Sequence, residues 1–131
     1  MEFRESPPTH HNEKEKSILV VEDDADIGLL LYELLSQETP YKAIWVSDGM
    51  QALQLASTMK PDLCITDYWL PSINGIELYD RLHEMKDLAN MPTILISAYL
   101  PEHEVEKRQI VGMHKPFEID DLLNAIERLL A

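Results

Sequence analysis

Apolar and polar positions along the chain alternate in five rounds of one pattern, a short apolar run followed by a helical stripe. Ser17–Val21 (SILVV) is short and β-branched and reads as a buried strand. Asp26–Leu35 follows, with Ile27, Leu30, Leu31, Leu34 and Leu35 at helical spacing. Tyr41–Ser47 reads as a second strand, and Gly49–Met59 as a second helix that Lys60-Pro61 terminates. Asp62–Asp67 (DLCITD) is a third strand, and Gly75–Met85 a third helix carrying Ile76, Leu78, Tyr79, Leu82 and Met85. Thr93–Ala98 is a fourth strand. The charged stretch Pro101–Arg108 is the weakest helix, expected to be short, irregular or mobile. Ile110–Lys115, interrupted by Gly112, is a fifth strand, and Ile119–Leu130 carries one apolar stripe that predicts a final amphipathic helix.

Strands and helices in strict alternation imply an α/β fold, a doubly wound parallel sheet with helices on both faces. A length of 131 residues, 45% of them hydrophobic, suits one compact domain. Residues 1–16 are polar, include Pro7-Pro8 and the adjacent His10 and His11, and read as a disordered tail; the folded domain is expected over residues 17–131. Met50, Met59 and Met85 read as core filler, and Trp45 as a packed strand residue. No apolar run is long enough to span a membrane, and the N-terminus has no secretory core. The single cysteine, Cys64, reads as a buried hydrophobe and fits a cytoplasmic location. A formal net charge of −13 argues against this domain gripping a nucleic-acid backbone.

Part of that acid is not scattered. Open parallel sheets bind ligands at the carboxyl ends of their strands. Here the first strand ends in Glu22-Asp23-Asp24, the third in Asp67, the fourth in Ser97 and the fifth in Lys115. Asp24 reads as the cap of the first helix, and Ser47-Asp48 as ordinary cap chemistry. Crowded carboxylates repel unless a cation joins them, and a hard divalent ion such as Mg²⁺ suits that need. A metal, a lysine and a hydroxyl around a free carboxylate are the equipment of phosphoryl transfer.

These pieces resemble the receiver domain of bacterial two-component response regulators, through ILVVEDD (Ile18–Asp24), PDLCITDYWLPSINGIEL (Pro61–Leu78), PTILISA (Pro92–Ala98) and KPF (Lys115–Phe117). The resemblance implies a flavodoxin-like strand order 2-1-3-4-5. It implies Asp67 as the phosphoacceptor for a sensor histidine kinase or phosphotransfer protein, with Mg²⁺ as cofactor. Asp23 would ligate the metal directly, Glu22 through water, and Trp69 through its backbone carbonyl. Ser97 would hold a phosphoryl oxygen, Lys115 would pair with the phosphoryl group, and the bond before Pro116 would be cis. Trp69 and Tyr99 occupy the family's two positions flanking the water route, so slow self-dephosphorylation is expected.

Two departures from the family pattern stand out. The segment between Ser97 and Lys115 is a few residues short, and Gly112 stands where a switch aromatic is usual. Both bear on the output surface and on any phosphorylation-dependent homodimer. His114 is expected to point away from Lys115 by strand alternation. The competing readings are a receiver-like module that signals by binding alone, an aspartyl-phosphate phosphohydrolase and a flavin-binding protein. The phosphohydrolase would want an aspartate where Trp69 stands. The flavin protein would want a Ser/Thr/Gly-rich loop where Glu22-Asp23-Asp24 stands.

Overall fold

The computed structural model describes residues 15–131; the expected tail, with His10 and His11, lies outside the described residues except for its last two positions. Five strands alternate with five helices: β1 (Ser17–Val21), α1 (Ala25–Glu38), β2 (Lys42–Val46), α2 (Gly49–Met59), β3 (Leu63–Thr66), α3 (Gly75–His83), β4 (Thr93–Ser97), α4 (Glu102–Lys107), β5 (Val111–His114) and α5 (Ile119–Leu130). All pairings are parallel, in the order β2-β1-β3-β4-β5. The doubly wound order expected from the sequence is the order observed.

Alternation along the buried strands divides the core between the two faces. Ile18, Val20, Leu63, Ile65, Ile94 and Ile96 pack against Leu31 and Leu35 of α1 and Leu122, Ala125 and Ile126 of α5. Leu19, Val21 and Cys64 face Ala52 and Ala56 of α2 and Leu78 and Leu82 of α3. Each fully buried leucine or isoleucine contributes about 1.5–3 kcal/mol through apolar area removed from water. Cys64 is buried as expected, and burial pushes its thiol up to about 12.

Some boundaries and positions differ from the sequence expectation. The α1 helix continues three residues past Leu35, through exposed Ser36, Gln37 and Glu38, because backbone bonding outlasts its apolar stripe. Its buried face is Gly28, Leu31 and Leu35, while Leu30 lies on the rim and is 46% exposed. Met50 is not core filler. It sits in the first turn of α2, whose buried face is Gly49, Ala52 and Ala56, and its side chain is 45% exposed. Met59 and Met85 do pack against the α2–α3 core. The α3 helix stops at His83, and Met85 leads into a 3₁₀ turn over Lys86–Leu88 instead of closing the helix.

Among the helices α4 is short, at six residues, with Val105 as its buried side chain. It is regular nonetheless, because Arg108 clamps its end to α3. The guanidinium bonds both Asp80 oxygens, at 2.8 and 3.0 Å, and reaches Glu104 Oε1 at 2.6 Å. The Arg108 hydrogen bond holds the Asp80 carboxyl below its ordinary value. This contribution is therefore present above the unfolded carboxylate pKa and lost as the pH falls through the lowered one. The space over Gly112 is also accounted for: a Cβ there would meet Leu100 Cδ1 at 3.2 Å and Val105 Cγ1 at 3.3 Å. Leu100 covers the strand at Gly112.

Arg108→Ala should lower stability by about 1 kcal/mol and speed amide exchange across Glu102–Lys107 while leaving α5 protected. Unchanged exchange in α4 would show that the clamp does not hold it.

Candidate functional site

Four strand ends build one pocket at the carboxyl edge of the sheet. Beyond β1, Glu22 is 2% exposed, while Asp23 is exposed. Asp24 turns the chain into α1 as its cap, its carboxylate accepting the Asp26 and Ile27 N–H groups at 2.9 and 3.0 Å. Asp67, directly after β3, is 7% exposed, and Ser97 at the end of β4 is fully buried. Lys115 follows β5, its N–H donating to the Ser97 carbonyl at 3.0 Å, and the Lys115–Pro116 bond is cis. His114 points the other way and is exposed, with Nε2 3.8 Å from Glu102.

The Lys115 ammonium joins the pocket together, donating to Asp67 Oδ2 at 2.7 Å and Glu22 Oε1 at 3.1 Å. Asp67 Oδ1 accepts the N–H groups of Tyr68 at 2.6 Å and Trp69 at 3.2 Å. Both oxygens of the acceptor candidate are thus held, one by a side-chain cation and one by the backbone of the following turn. Burial raises the Glu22 carboxyl above the ordinary range and the Asp67 charge adds to this, while the Asp24 N–H and Lys115 pull it down. For Lys115, burial works to lower the pKa, but bonds to Asp67 and Glu22 together outweigh it and raise the ammonium above the ordinary lysine value. The pocket has more negative than positive charge.

Carboxylate oxygens of Glu22, Asp23 and Asp67 lie within 4.8 Å of one another. A set of hard oxygen donors beside open solvent at Asp23 fits Mg²⁺, which takes one or two carboxylates and keeps waters. The donor set therefore suits the ion expected from the sequence.

The loop after β3 is shaped by close approach. Gly75 opens α3 directly beneath Asp67, where an added Cβ would overlap the Asp67 carbonyl oxygen and stand 2.8 Å from Leu95 Cδ1. Its N–H donates to the Tyr68 carbonyl at 2.8 Å. No left-handed backbone is involved; the glycine is required for space.

Trp69 and Tyr99 stand beside the pocket, 61% and 53% exposed. Their ring centroids are 6.1 Å apart, and Tyr68, which sequence reasoning passed over, meets them edge-on at 4.8 and 5.6 Å. A second feature missed in the sequence is a hydrogen bond from Trp45 Nε1 to the Glu22 carbonyl, 2.8 Å long across 23 residues of chain.

The parallel sheet, with an acidic cluster and a lysine at its carboxyl edge, is a doubly wound α/β fold with its candidate site at the strand ends. The chain belongs to the response regulator receiver domain family, whose model matches residues 18–127. It is 31% identical over 123 residues to sporulation initiation phosphotransferase F of Bacillus subtilis, covering 91% of this chain and 94% of that protein. It is 28% identical over 119 residues to the polar-differentiation response regulator DivK of Brucella anthropi, covering 88% and 96%. Among solved structures, the signal receiver domain of an HD domain-containing protein from Pseudomonas fluorescens Pf-5 superposes with a TM-score of 0.80 at 27% identity, covering 95% and 93% of the two chains. No helix among the described residues is long and apolar enough to cross a membrane.

Gly75→Ala should cost about 1–3 kcal/mol by overpacking, since two of the three atoms its methyl would meet are backbone that cannot rotate away. Urea unfolding measures this, and a wild-type midpoint would contradict the close-approach account.

Proposed function

We propose that Asp67 accepts a phosphoryl group from a sensor histidine kinase or a histidine phosphotransfer protein, in a Mg²⁺-dependent reaction, and that the domain (residues 17–131) then changes partners. One observation carries this reading: the Glu22, Asp23 and Asp67 carboxylates meet within 4.8 Å, Lys115 Nζ bonds two of them, and Ser97 ends the neighbouring strand, its carbonyl accepting the Lys115 N–H. Acid scattered over a surface for solubility has no reason to respect strand ends.

An Asp67 carboxylate oxygen forms a bond to phosphorus as the P–N bond of the donor phosphohistidine breaks. The bonding pair leaves on the imidazole nitrogen. Lys115, already 2.7 Å from Asp67, pairs with the arriving phosphoryl oxygens, and the Ser97 hydroxyl donates to one of them. Glu22, Asp23, Asp67 and the Trp69 carbonyl are the protein's share of the Mg²⁺ site. Bound there, the ion supplies positive charge against the crowded carboxylate and phosphoryl oxygens. The chain catalyses its own phosphorylation and dephosphorylation and does not turn over a metabolite. The name of its Bacillus relative, a phosphotransferase, supports a relay role.

The phosphodonor needs a surface beside the acceptor. Ile27 and Leu30 of α1, with Pro116, Phe117 and Ile119, line an apolar concavity of about 440 Å³ whose wall includes Lys115. Leu30 and Ile119 are 46% and 43% exposed. This exposed apolar ring fits a partner's helical face.

The Trp69 and Tyr99 rings restrict the in-line water, so the phosphorylated form is long-lived. In acetyl phosphate and Mg²⁺, intact mass should gain one phosphoryl group, and Asp67→Asn should gain none. Trp69→Asn and Tyr99→Glu should each release phosphate several-fold faster, because the water the rings exclude can then reach the in-line attacking geometry. No Mg²⁺-dependent adduct would sink the acceptor reading. An adduct that decays alike in all three chains would sink only the aromatic one.

A further inference from the structure

The Glu22–Asp24 turn lies just beyond the β1 ladder, where regular pairing with β2 has ended at Val21↔Val46. Every polar group of Glu22 nonetheless has a partner. Its N–H donates to the Val46 carbonyl at 3.0 Å. Its carboxylate accepts from Lys115 at 3.1 Å and from the Asp24 N–H at 3.1 Å. Its carbonyl accepts the Trp45 indole N–H at 2.8 Å. The last of these is the one bond that comes from a side chain outside the pocket.

Room for the indole is made by Gly28. A Cβ at that position would overlap Cε2, Cζ2 and Nε1 of Trp45. Gly28 is buried on the inner face of α1, so the helix and the edge strand approach each other through this ring. Trp45 is half-buried and also borders an open groove with Gln51 and Gln54. Its N–H turns inward to the Glu22 carbonyl.

That carbonyl belongs to the same peptide plane as the Asp23 N–H, because the peptide unit is planar. Among the described residues the Asp23 carboxylate accepts no hydrogen bond, so the backbone alone sets the point from which its side chain starts. Fixing the Glu22–Asp23 plane narrows the space over which the Asp23 carboxylate reaches toward Glu22 and Asp67.

We propose that Trp45 is a positioning residue for the metal site: by bonding the Glu22 carbonyl from β2, with Gly28 leaving the space, it holds the acidic turn ready for Mg²⁺. This rests on the Mg²⁺ reading of the pocket given above. Groups that orient a metal's ligands without touching the metal commonly change affinity by about tenfold or more when lost.

The test is Mg²⁺ titration by calorimetry on four chains. Trp45→Phe keeps a ring but removes the N–H, and should weaken Mg²⁺ binding about tenfold. Gly28→Ala, which pushes the indole off its seat, should weaken it too. Leu34→Ala trims the same α1 packing without touching Glu22; it should lower the melting temperature and leave Mg²⁺ affinity as in wild type. In the wild-type chain, the Trp45 indole N–H resonance should shift along the same Mg²⁺ titration, a readout that needs no variant to fold. Wild-type binding with an unaltered Trp45→Phe affinity overturns the proposal alone, as does loss of affinity in Leu34→Ala equal to that in Trp45→Phe. A wild-type chain that binds no Mg²⁺ overturns the metal-dependent reading and this proposal with it.

Discussion

A single ammonium, Lys115 Nζ, lies between the carboxylates of Asp67 and Glu22, and the geometry of the pocket depends on it. Two acids this close, 7% and 2% exposed, repel each other, and burial with the Asp67 charge beside it raises the Glu22 carboxyl above its ordinary range. The lysine offsets part of this and thereby ties the end of β5 to those of β1 and β3. It can do so because its own N–H bonds the Ser97 carbonyl, anchoring the stem on the intervening strand β4. A lysine suits this task, since its charge is compact and its stem flexible, so it can follow an oxygen that moves. The acid left uncompensated, Glu22, Asp23 and Asp67 against one lysine, is a donor set that suits a divalent cation.

The rest of the fold serves that arrangement. Buried parallel strands set the four ends level, with register from Val21 to Thr66 and from Thr66 to Leu95. Backbone N–H groups after β3 hold one oxygen of Asp67, and Gly75 lets α3 begin close beneath it. From the opposite edge, β2 steadies the acidic turn through Val46 and Trp45. The arrangement stabilises a site in which the carboxylate is fixed before any partner arrives.

Much of this was legible in the chain because it is written in short-range pattern. Strand ends are visible as the points where apolar runs stop, so Glu22, Asp67, Ser97 and Lys115 could be assigned to one rim without coordinates. The cap at Asp24 and the opposed side chain of His114 follow from local geometry in the same way. Less legible were contacts that depend on how helices sit. Leu30 and Met50 carry core-like side chains, but the helices turn Gly28 and Ala52 inward instead. The Trp45 bond to Glu22 and the seat of Leu100 over Gly112 join residues distant in sequence, and no periodicity announces them. Nor does the Arg108 clamp, which makes a regular helix of a segment that reads as weak.

In the function proposed above, four strand ends act as one metal-dependent phosphoryl acceptor. Its most direct test is an amide NMR titration with Mg²⁺ followed by beryllium fluoride, a stand-in for the phosphoryl group. Mg²⁺ shifts should concentrate at Glu22–Asp24 and Asp67–Trp69, and the fluoride should extend them to Ser97–Tyr99 and Lys115. Shifts spread over the exposed acids of α4 and α5, with those four strand ends unmoved, would contradict it.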